Sequence, residues 1–554
     1  MVSVAGLVLS YASRLKYLNR MEMLHYTDLK LTEAAGMATS FLSIDLGKYF
    51  LVSLLFALVM IICSKVTERL VKNDVAKWNG KATCKIARYG LALLALIGMM
   101  LYHEHSMLTD STRDPQQRYL YFYTHSDRHV LFQFVQHTQS NTSAEEIKSS
   151  YDELTQQLME ENGSEMHPVT ELLPTIVVIM NEAWWNLDNI PESKVSYSVD
   201  PMKPLWDLEE RCDVGSVSVN IYGGGTISSE SEFLLGFNSK YFGSTAGIYG
   251  ELEKREFPCI VDYFEDLGYY TTAIHPFDKE FYKRELIYHK MGFDRILFDE
   301  DMKYKDIFDK YISDESLVNQ IIHEYEDVEE EPKFIFAVSM ASHGLNLDYG
   351  DGKNENYEYN VDVILDESVE MSEEEYGDLV HQVNGIYEAN LAYTKLIDYF
   401  EKQDEPVIVV MFGDHCPNFT NDMLHSLGIA IDDAQKETFD FLDEDIAKKI
   451  YTTPAVVWNN FSEEPFGLDG ENINAIPDML IDYIGLPQTR MTLINKYIRR
   501  YIKADTRRRV VTSEGATLSE YSAELNQIIN TYLMIQYDIL NGDLICGDIW
   551  EPLE

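Results

Sequence analysis

Three short apolar runs, each ending in residues that carry chemistry, constrain this chain more than any other feature. Residues 175–180 read TIVVIM and are followed by Asn181 and Glu182. Residues 334–340 read FIFAVSM, with Ser342 and His343 just beyond. Residues 407–412 read VIVVMF and lead into Gly413, Asp414 and His415. Continuous β-branched runs of this length suit strands buried on both faces, as in a sheet covered by helices. Helical patterns lie between them, at 257–268 and 375–401. Alternating strands and helices predict an α/β fold with a central, mostly parallel sheet.

In such sheets, sites form outside the carboxyl ends of the strands. The three runs would therefore deliver Glu182, His343, Asp414 and His415 to one edge. One acidic residue after a strand is unremarkable; agreement between three strands is not. Glu182, Asp414 and His415 make a mixed oxygen and nitrogen set for one divalent cation, with manganese, magnesium and zinc all fitting. Such an ion makes a nearby hydroxyl nucleophilic at neutral pH. The stretch NIYGGGTISSESEF, residues 220–233, offers one. Three consecutive glycines carry a conformational cost, and the plain reading is a turn. This loop lies between the first and second runs, so it can reach the same edge and present Thr226 as the nucleophile. Ser228, Ser229 and Ser231 would cap or line it.

The beginning of the chain has a different character. Residues 49–63 are apolar and uncharged, and so are 89–102. With their flanks, near 46–64 and 86–102, they approach the roughly 20 residues that a membrane helix needs. Lys65, Arg69, Lys72, Lys77, Lys81, Lys85 and Arg88 crowd the loop between them. That loop reads as cytoplasmic by the positive-inside rule, which puts the rest of the chain outside the cell membrane. An apolar stretch near 1–13 is too short to span and lacks a signal-peptide pattern, so it reads as part of a further membrane helix. The organisation expected is a multi-pass membrane region at 1–103, a connector at 104–167, an extracellular catalytic domain at 168–505 and a helical tail at 506–554.

A net charge of −47 would repel nucleic acid, so none is expected as a partner. Six cysteines without CxxC spacing exclude a zinc finger and a disulfide scaffold, although one disulfide stays open. Cys416, directly after His415, reads as packing rather than as a ligand.

The segments IVVIMNEAWWN, GGGTISSESEFLLG, AIHPFDKEFYKRELIYHKMGFD, FIFAVSMASHG and VIVVMFGDH occur in this order. TTPAVVWNNF follows, and NRMEMLHYTDLKLTEA precedes the apolar runs. Together they resemble the lipoteichoic acid synthases and their phosphoglycerol transferase relatives, of the alkaline phosphatase and sulfatase superfamily, over about 174–504. The resemblance implies an alkaline-phosphatase-like layered domain. It also implies metal ligation by Glu182, Thr226, Asp414 and His415, and a glycerophospho-threonine intermediate on Thr226. His343, Arg284 and His275 match positions around the substrate phosphate or the acceptor. The implied metal is manganese, with magnesium or zinc as alternatives. The implied donor is phosphatidylglycerol, and the acceptor is a teichoic acid chain or a surface glycan. Two complete membrane runs stand here where characterised synthases have five, which leaves the acceptor open.

Two other readings compete. A phosphoethanolamine transferase shares the metal chemistry, whereas a sulfatase needs a C/S-x-P-x-R context that GTISSE lacks. A non-catalytic surface protein that only binds glycan would be marked by a missing ligand, and all four are present.

Overall fold

The computed structural model describes residues 143–162, 173–241, 248–328, 332–344, 358–429, 444–506, 509–515 and 522–553. The expected membrane runs near 46–64 and 86–102, and the stretch near 1–13, lie outside these residues. Among the described residues, no helix is long and apolar enough to cross a membrane.

Eight strands form one sheet: β1 Thr175–Asn181, β2 Asp213–Ser218, β3 Tyr270–Ile274, β4 Arg295–Leu297, β5 Lys333–Val338, β6 Val407–Gly413, β7 Thr452–Asn459 and β8 Asp469–Asn472. Their order is β8-β2-β7-β6-β1-β5-β3-β4. Only β7 runs against its neighbours; every other pairing in the sheet is parallel. The three apolar runs are the adjacent strands β6, β1 and β5, and every residue in them is buried. Helices cover both faces of a mainly parallel sheet, so its centre needs no polar face.

The register sets the strand ends level. Asn181 pairs with Gly413, Met180 with Val338, and Ile274 with Ala337. Four neighbouring strands, not three, therefore deliver their next residues to one edge. The fourth is β3, whose short sequence YTTAI carries a weaker apolar signal.

Helix α2, Ile227–Leu235, follows the glycine loop, and all nine of its residues are buried. Phe233 anchors it, stacked on Phe336 of β5 with centroids 5.5 Å apart and lying 6.0 Å from Phe412 of β6. Such pairs contribute about 0.5–1.5 kcal/mol beyond the area they bury. Helix α6, Glu373–Phe400, opens with Ser372 and Glu375 in a capping box.

The segment expected as a connector contributes helix α1, Ala144–Asn162, whose Ile147, Tyr151, Leu154 and Leu158 enter the main core. The expected tail is also built in. Helix α9, Ala523–Asn541, packs on α1, and Trp550 donates from Nε1 to the Leu235 carbonyl at 3.2 Å. Apolar side chains at helical spacing in both segments find the core that a solvated connector or tail would lack. Cys212, Cys259, Cys416 and Cys546 are free thiols.

Candidate active site

Glu182, the residue after β1, is 4% exposed, and its backbone N–H donates to Ser339 Oγ at 3.0 Å. Asp414, the residue after β6, donates its N–H to the Asn181 carbonyl at 3.1 Å. Gly413 is required between them. A Cβ there would sit 2.1 Å from the Trp184 carbonyl oxygen, which is backbone and cannot swing away. His415 places Nε2 3.2 Å from Asp414 Oδ2 and 3.4 Å from Glu182 Oε1. Donor atoms of all three residues lie within 4.8 Å of one another, and all three are buried.

The glycine loop brings the fourth residue. Gly223, Gly224 and Gly225 have φ of +63°, +129° and +96°, a run that residues with a Cβ cannot follow without strain. The Gly223 N–H donates to the Cys416 carbonyl at 3.1 Å, which ties the loop to the β6 end. Thr226 stands at the N-cap of α2, where a threonine hydroxyl ordinarily accepts from the first turn. It makes no such cap. Its Oγ1 donates instead to Glu182 Oε2 at 2.9 Å. Ser229 and Ser231 donate to the Asp414 and Ile227 carbonyls at 2.8 and 2.6 Å, so they hold the local backbone.

The donor set fits a cation on a direct test. His415 Nδ1 lies 2.9 Å from the Cys416 carbonyl, which can only accept, so Nδ1 carries the proton. Nε2 then faces two carboxylate oxygens, as a lone pair when the ring is neutral and as a second N–H when it is protonated. Neither that Nε2 nor Asp414 Oδ2 has a hydrogen-bond partner. Buried acceptors facing each other are unfavourable unless positive charge lies among them. The electrostatics agree. Burial pushes the His415 pKa down, but the Asp414 and Glu182 carboxylates overcome it and raise it to about 9. Burial pushes Asp414 up, whereas in Glu182 the charges of His343 and His415 overcome burial and hold the carboxyl low.

Arg284, His275 and Glu230 form a second buried group. Arg284 is 1% exposed and sits at the start of helix α4, Arg284–Lys290. Its Nε and Nη2 both lie 3.0 Å from Glu230 Oε2, and Nη1 lies 3.0 Å from His275 Nε2. His275 Nδ1 meets the Val338 carbonyl at 3.1 Å, so Nδ1 donates and Nε2 accepts from Arg284. Burial, then the Arg284 charge, hold His275 well below the ordinary histidine range and keep it neutral. Tyr282 and Lys283 just ahead have φ of +58° and +59°. Consecutive left-handed residues of this kind persist where the surroundings hold them, often beside functional sites.

His343 lies beyond β5, with Nδ1 3.1 Å from the Gly344 carbonyl and its ring 5.7 Å from Tyr311. Its charge acts on Glu182. His381 on α6 lies with Nε2 3.1 Å from the His343 carbonyl.

The sequence reading overlooked Glu230. The available signal was its spacing: a residue four after Thr226 shares its helix face, so Arg284 is held one turn from the hydroxyl. Gln382 was also overlooked. Its Nε2 donates 3.0 Å to the carbonyl of Ala183, and nothing local to residue 382 announces that contact.

Residues 174–481 match the Sulfatase family, and the chain belongs to it. The resemblance read from the motifs is borne out at that level. A Rhizobium meliloti protein named for cyclic beta-1,2-glucan modification is 27% identical over 379 residues, 67% of this chain and 55% of its own. The capsular polysaccharide biosynthesis protein RkpI of the same organism is 30% identical over 152 residues, 27% of this chain and 24% of its own. The chain spans about half the length of the first curated relatives it matches. The Streptococcus pyogenes phosphoglycerol transferase GacH, solved with sn-glycerol-1-phosphate, shares the fold. The TM-score is 0.55 at 18% identity, over 75% of this chain and 98% of that one.

Proposed function

We propose that this protein is a phosphoglycerol transferase that moves glycerophosphate from phosphatidylglycerol to a cell-surface glycan. The observation that carries the reading is the Thr226 hydroxyl, which forgoes its helix cap to donate 2.9 Å to Glu182 beside Asp414 and His415. Glu182, Asp414 and His415, with the Thr226 oxygen, would hold one divalent cation, manganese in the first instance. A bound cation there would lower the pKa of the hydroxyl and draw charge from phosphoryl oxygens.

The chain's own residues then have distinct tasks. Thr226 Oγ1 attacks the phosphorus, the bond to diacylglycerol oxygen breaks, and glycerophosphate is left on threonine. An acceptor hydroxyl attacks that ester in the second step and restores Thr226. Arg284, fixed by Glu230 and His275, directs its remaining N–H donors at the phosphoryl oxygens. His343 exchanges protons with the leaving and entering oxygens.

The relatives named for beta-1,2-glucan modification and capsular polysaccharide support a glycan rather than a teichoic acid as acceptor. Membrane anchoring with an external catalytic domain belongs to the same reading. It rests on the two apolar runs and the seven basic residues between them.

The test incubates the full chain with labelled phosphatidylglycerol and manganese. Release of diacylglycerol, its loss in Thr226→Ala, and glycerophosphate on Thr226 by mass spectrometry are expected. An adduct on a serine, or undiminished turnover in Thr226→Ala, would overturn the mechanism. Release of diacylglycerol from phosphatidylethanolamine instead would make the protein a phosphoethanolamine transferase.

A further inference from the structure

The loop that carries His343 is held from two sides by groups to which the transfer chemistry gives no task. On one side lies α6. Gly385 approaches the loop so closely that a Cβ there would stand 2.7 Å from Ser342 Oγ and 3.2 Å from Ser342 Cα. One turn earlier on the same face, His381 brings Nε2 to 3.1 Å from the His343 carbonyl. A carbonyl can only accept, so His381 Nε2 carries a proton and donates it.

On the other side lies a short antiparallel pair, Ile307–Phe308 with Tyr311–Ile312. Tyr311 sets its ring 5.7 Å from that of His343 and donates from its hydroxyl to the Gly344 carbonyl at 3.2 Å. The turn of the pair holds Asp309 at φ +49°, and the residue is 4% exposed. A residue with a Cβ keeps that conformation where its surroundings hold it. Here Asp309 Oδ2 lies 3.4 Å from His381 Nδ1 and accepts from the Tyr359 hydroxyl at 3.1 Å. The Tyr359 hydroxyl is also 3.3 Å from His381 Nδ1. His381 is fully buried, with its ring 5.2 Å from that of Phe308. An imidazole met at both nitrogens cannot turn without leaving buried polar groups unmatched, at about 1–3 kcal/mol each.

These contacts converge on the direction of one ring. His343 Nδ1 lies 3.1 Å from the Gly344 carbonyl, so Nδ1 holds a proton and Nε2 is the nitrogen that takes one up or releases it. The His343 carbonyl is tied to His381, and the Gly344 carbonyl to Tyr311. A side chain on so fixed a backbone is aimed before substrate arrives, which proton transfer requires.

We propose that His381, seated by Asp309 and Tyr359, is a positioning residue that aims His343 Nε2 at the oxygens with which it exchanges protons. The proposal rests on the transferase reading for the task given to His343. His381 itself touches neither the reacting atoms nor the carboxylate cluster.

Paired phosphodiesters test this on the full chain. Diacylglycerol leaves phosphatidylglycerol as an alcohol and needs a proton, whereas 4-nitrophenol leaves 4-nitrophenyl phosphoglycerol as a phenolate and does not. His343→Gln and His381→Leu should each slow the first reaction about tenfold and the second less than about twofold. The double variant should be no slower than His343→Gln alone, because nothing is left to position. His381→Gln, whose amide can donate to the same carbonyl, should regain most of the rate. Asp309→Gly removes the carboxylate yet suits the left-handed turn, and it should show the same selective loss. Equal losses on the two esters, additive losses in the double variant, or a His381→Gln as slow as His381→Leu would make His381 a packing residue and overturn the proposal. An Asp309→Gly that loses nothing selectively would overturn it too. If the wild type cleaves the nitrophenyl ester but not phosphatidylglycerol, the donor reading fails by itself. The phenyl ester then takes the place of phosphatidylglycerol in the same comparison, since its leaving group is the more basic of the two.

Discussion

Gln382 and Ala183 are joined by a 3.0 Å hydrogen bond from a buried side-chain amide on α6 to a backbone carbonyl at the end of β1. Ala183 has φ +49°, and its N–H donates 2.8 Å to Asp414 Oδ1. One peptide segment, held in the left-handed region from one side, thus fixes one oxygen of Asp414. The other oxygen, Oδ2, is turned towards His415.

Gln382→Leu should therefore act on the proposed metal centre without touching substrate. The Ala183 carbonyl would be left buried and unmatched, at a cost of about 1–3 kcal/mol. The metal dissociation constant should rise about tenfold and kcat fall, with KM little changed. Calorimetric metal titration checks this. A variant that loses stability and keeps wild-type metal affinity would make Gln382 a packing residue only.

Removing Asp414 should go further. On the proposed reading, Asp414→Ala takes away a ligand and one of two negative charges facing the cation. Metal content by elemental analysis and diacylglycerol release should both collapse. Full occupancy in the variant would take Asp414 out of the ligand set.

Arg284 and Glu230 predict a split between rate and stability. Arg284→Lys keeps a charge for Glu230 but loses the planar fork, and turnover should fall about tenfold, equivalent to ~1.4 kcal/mol. Glu230→Gln leaves the guanidinium buried without its carboxylate, which typically costs about 3–5 kcal/mol. Kinetics and thermal unfolding separate the two. Wild-type rates in Arg284→Lys would make the pair purely structural.

Asp314 gives a pH signature at a carboxyl outside the candidate ligand set. It opens helix α5, Asp314–Asp327, fully buried, with the Ser339 hydroxyl acting on its carboxyl. Burial, then the charge of Glu388, push its carboxyl up to about 7. Between about 4 and about 7, the folded state keeps a proton that the unfolded chain has lost. This group's contribution to stability therefore falls as pH rises through that window. Asp314→Asn should match the wild type near pH 4 and gain on it steadily towards pH 7, read as the difference in Tm. A difference that does not change with pH would show that Asp314 is ionised throughout.

Much of this was legible in the amino-acid order because the physics was local. Runs such as TIVVIM and VIVVMF can satisfy neither a solvated edge nor an amphipathic face, so they had to be central strands. Their abrupt ends at Asn181–Glu182 and Gly413–Asp414 marked the edge where polar groups collect. Three glycines before Thr226 signalled a backbone path closed to other residues, and φ between +63° and +129° bears that out.

Other features depended on which distant segments meet, and no local pattern encodes that. The short strand YTTAI could be recognised as central only once β5 lay beside it. Arg284 and Glu230 are 54 residues apart, and their pairing follows from where α4 and α2 dock. Gln382 reaches Ala183 across 199 residues. The core places of α1 and α9 were invisible for the same reason: an amphipathic stripe shows that a helix will bury one face, but not which surface will receive it. Local sequence set the strands, the glycine loop and the candidate ligand types. Tertiary packing, through burial and the matching of polar groups that burial demands, decided which residues hold them in place.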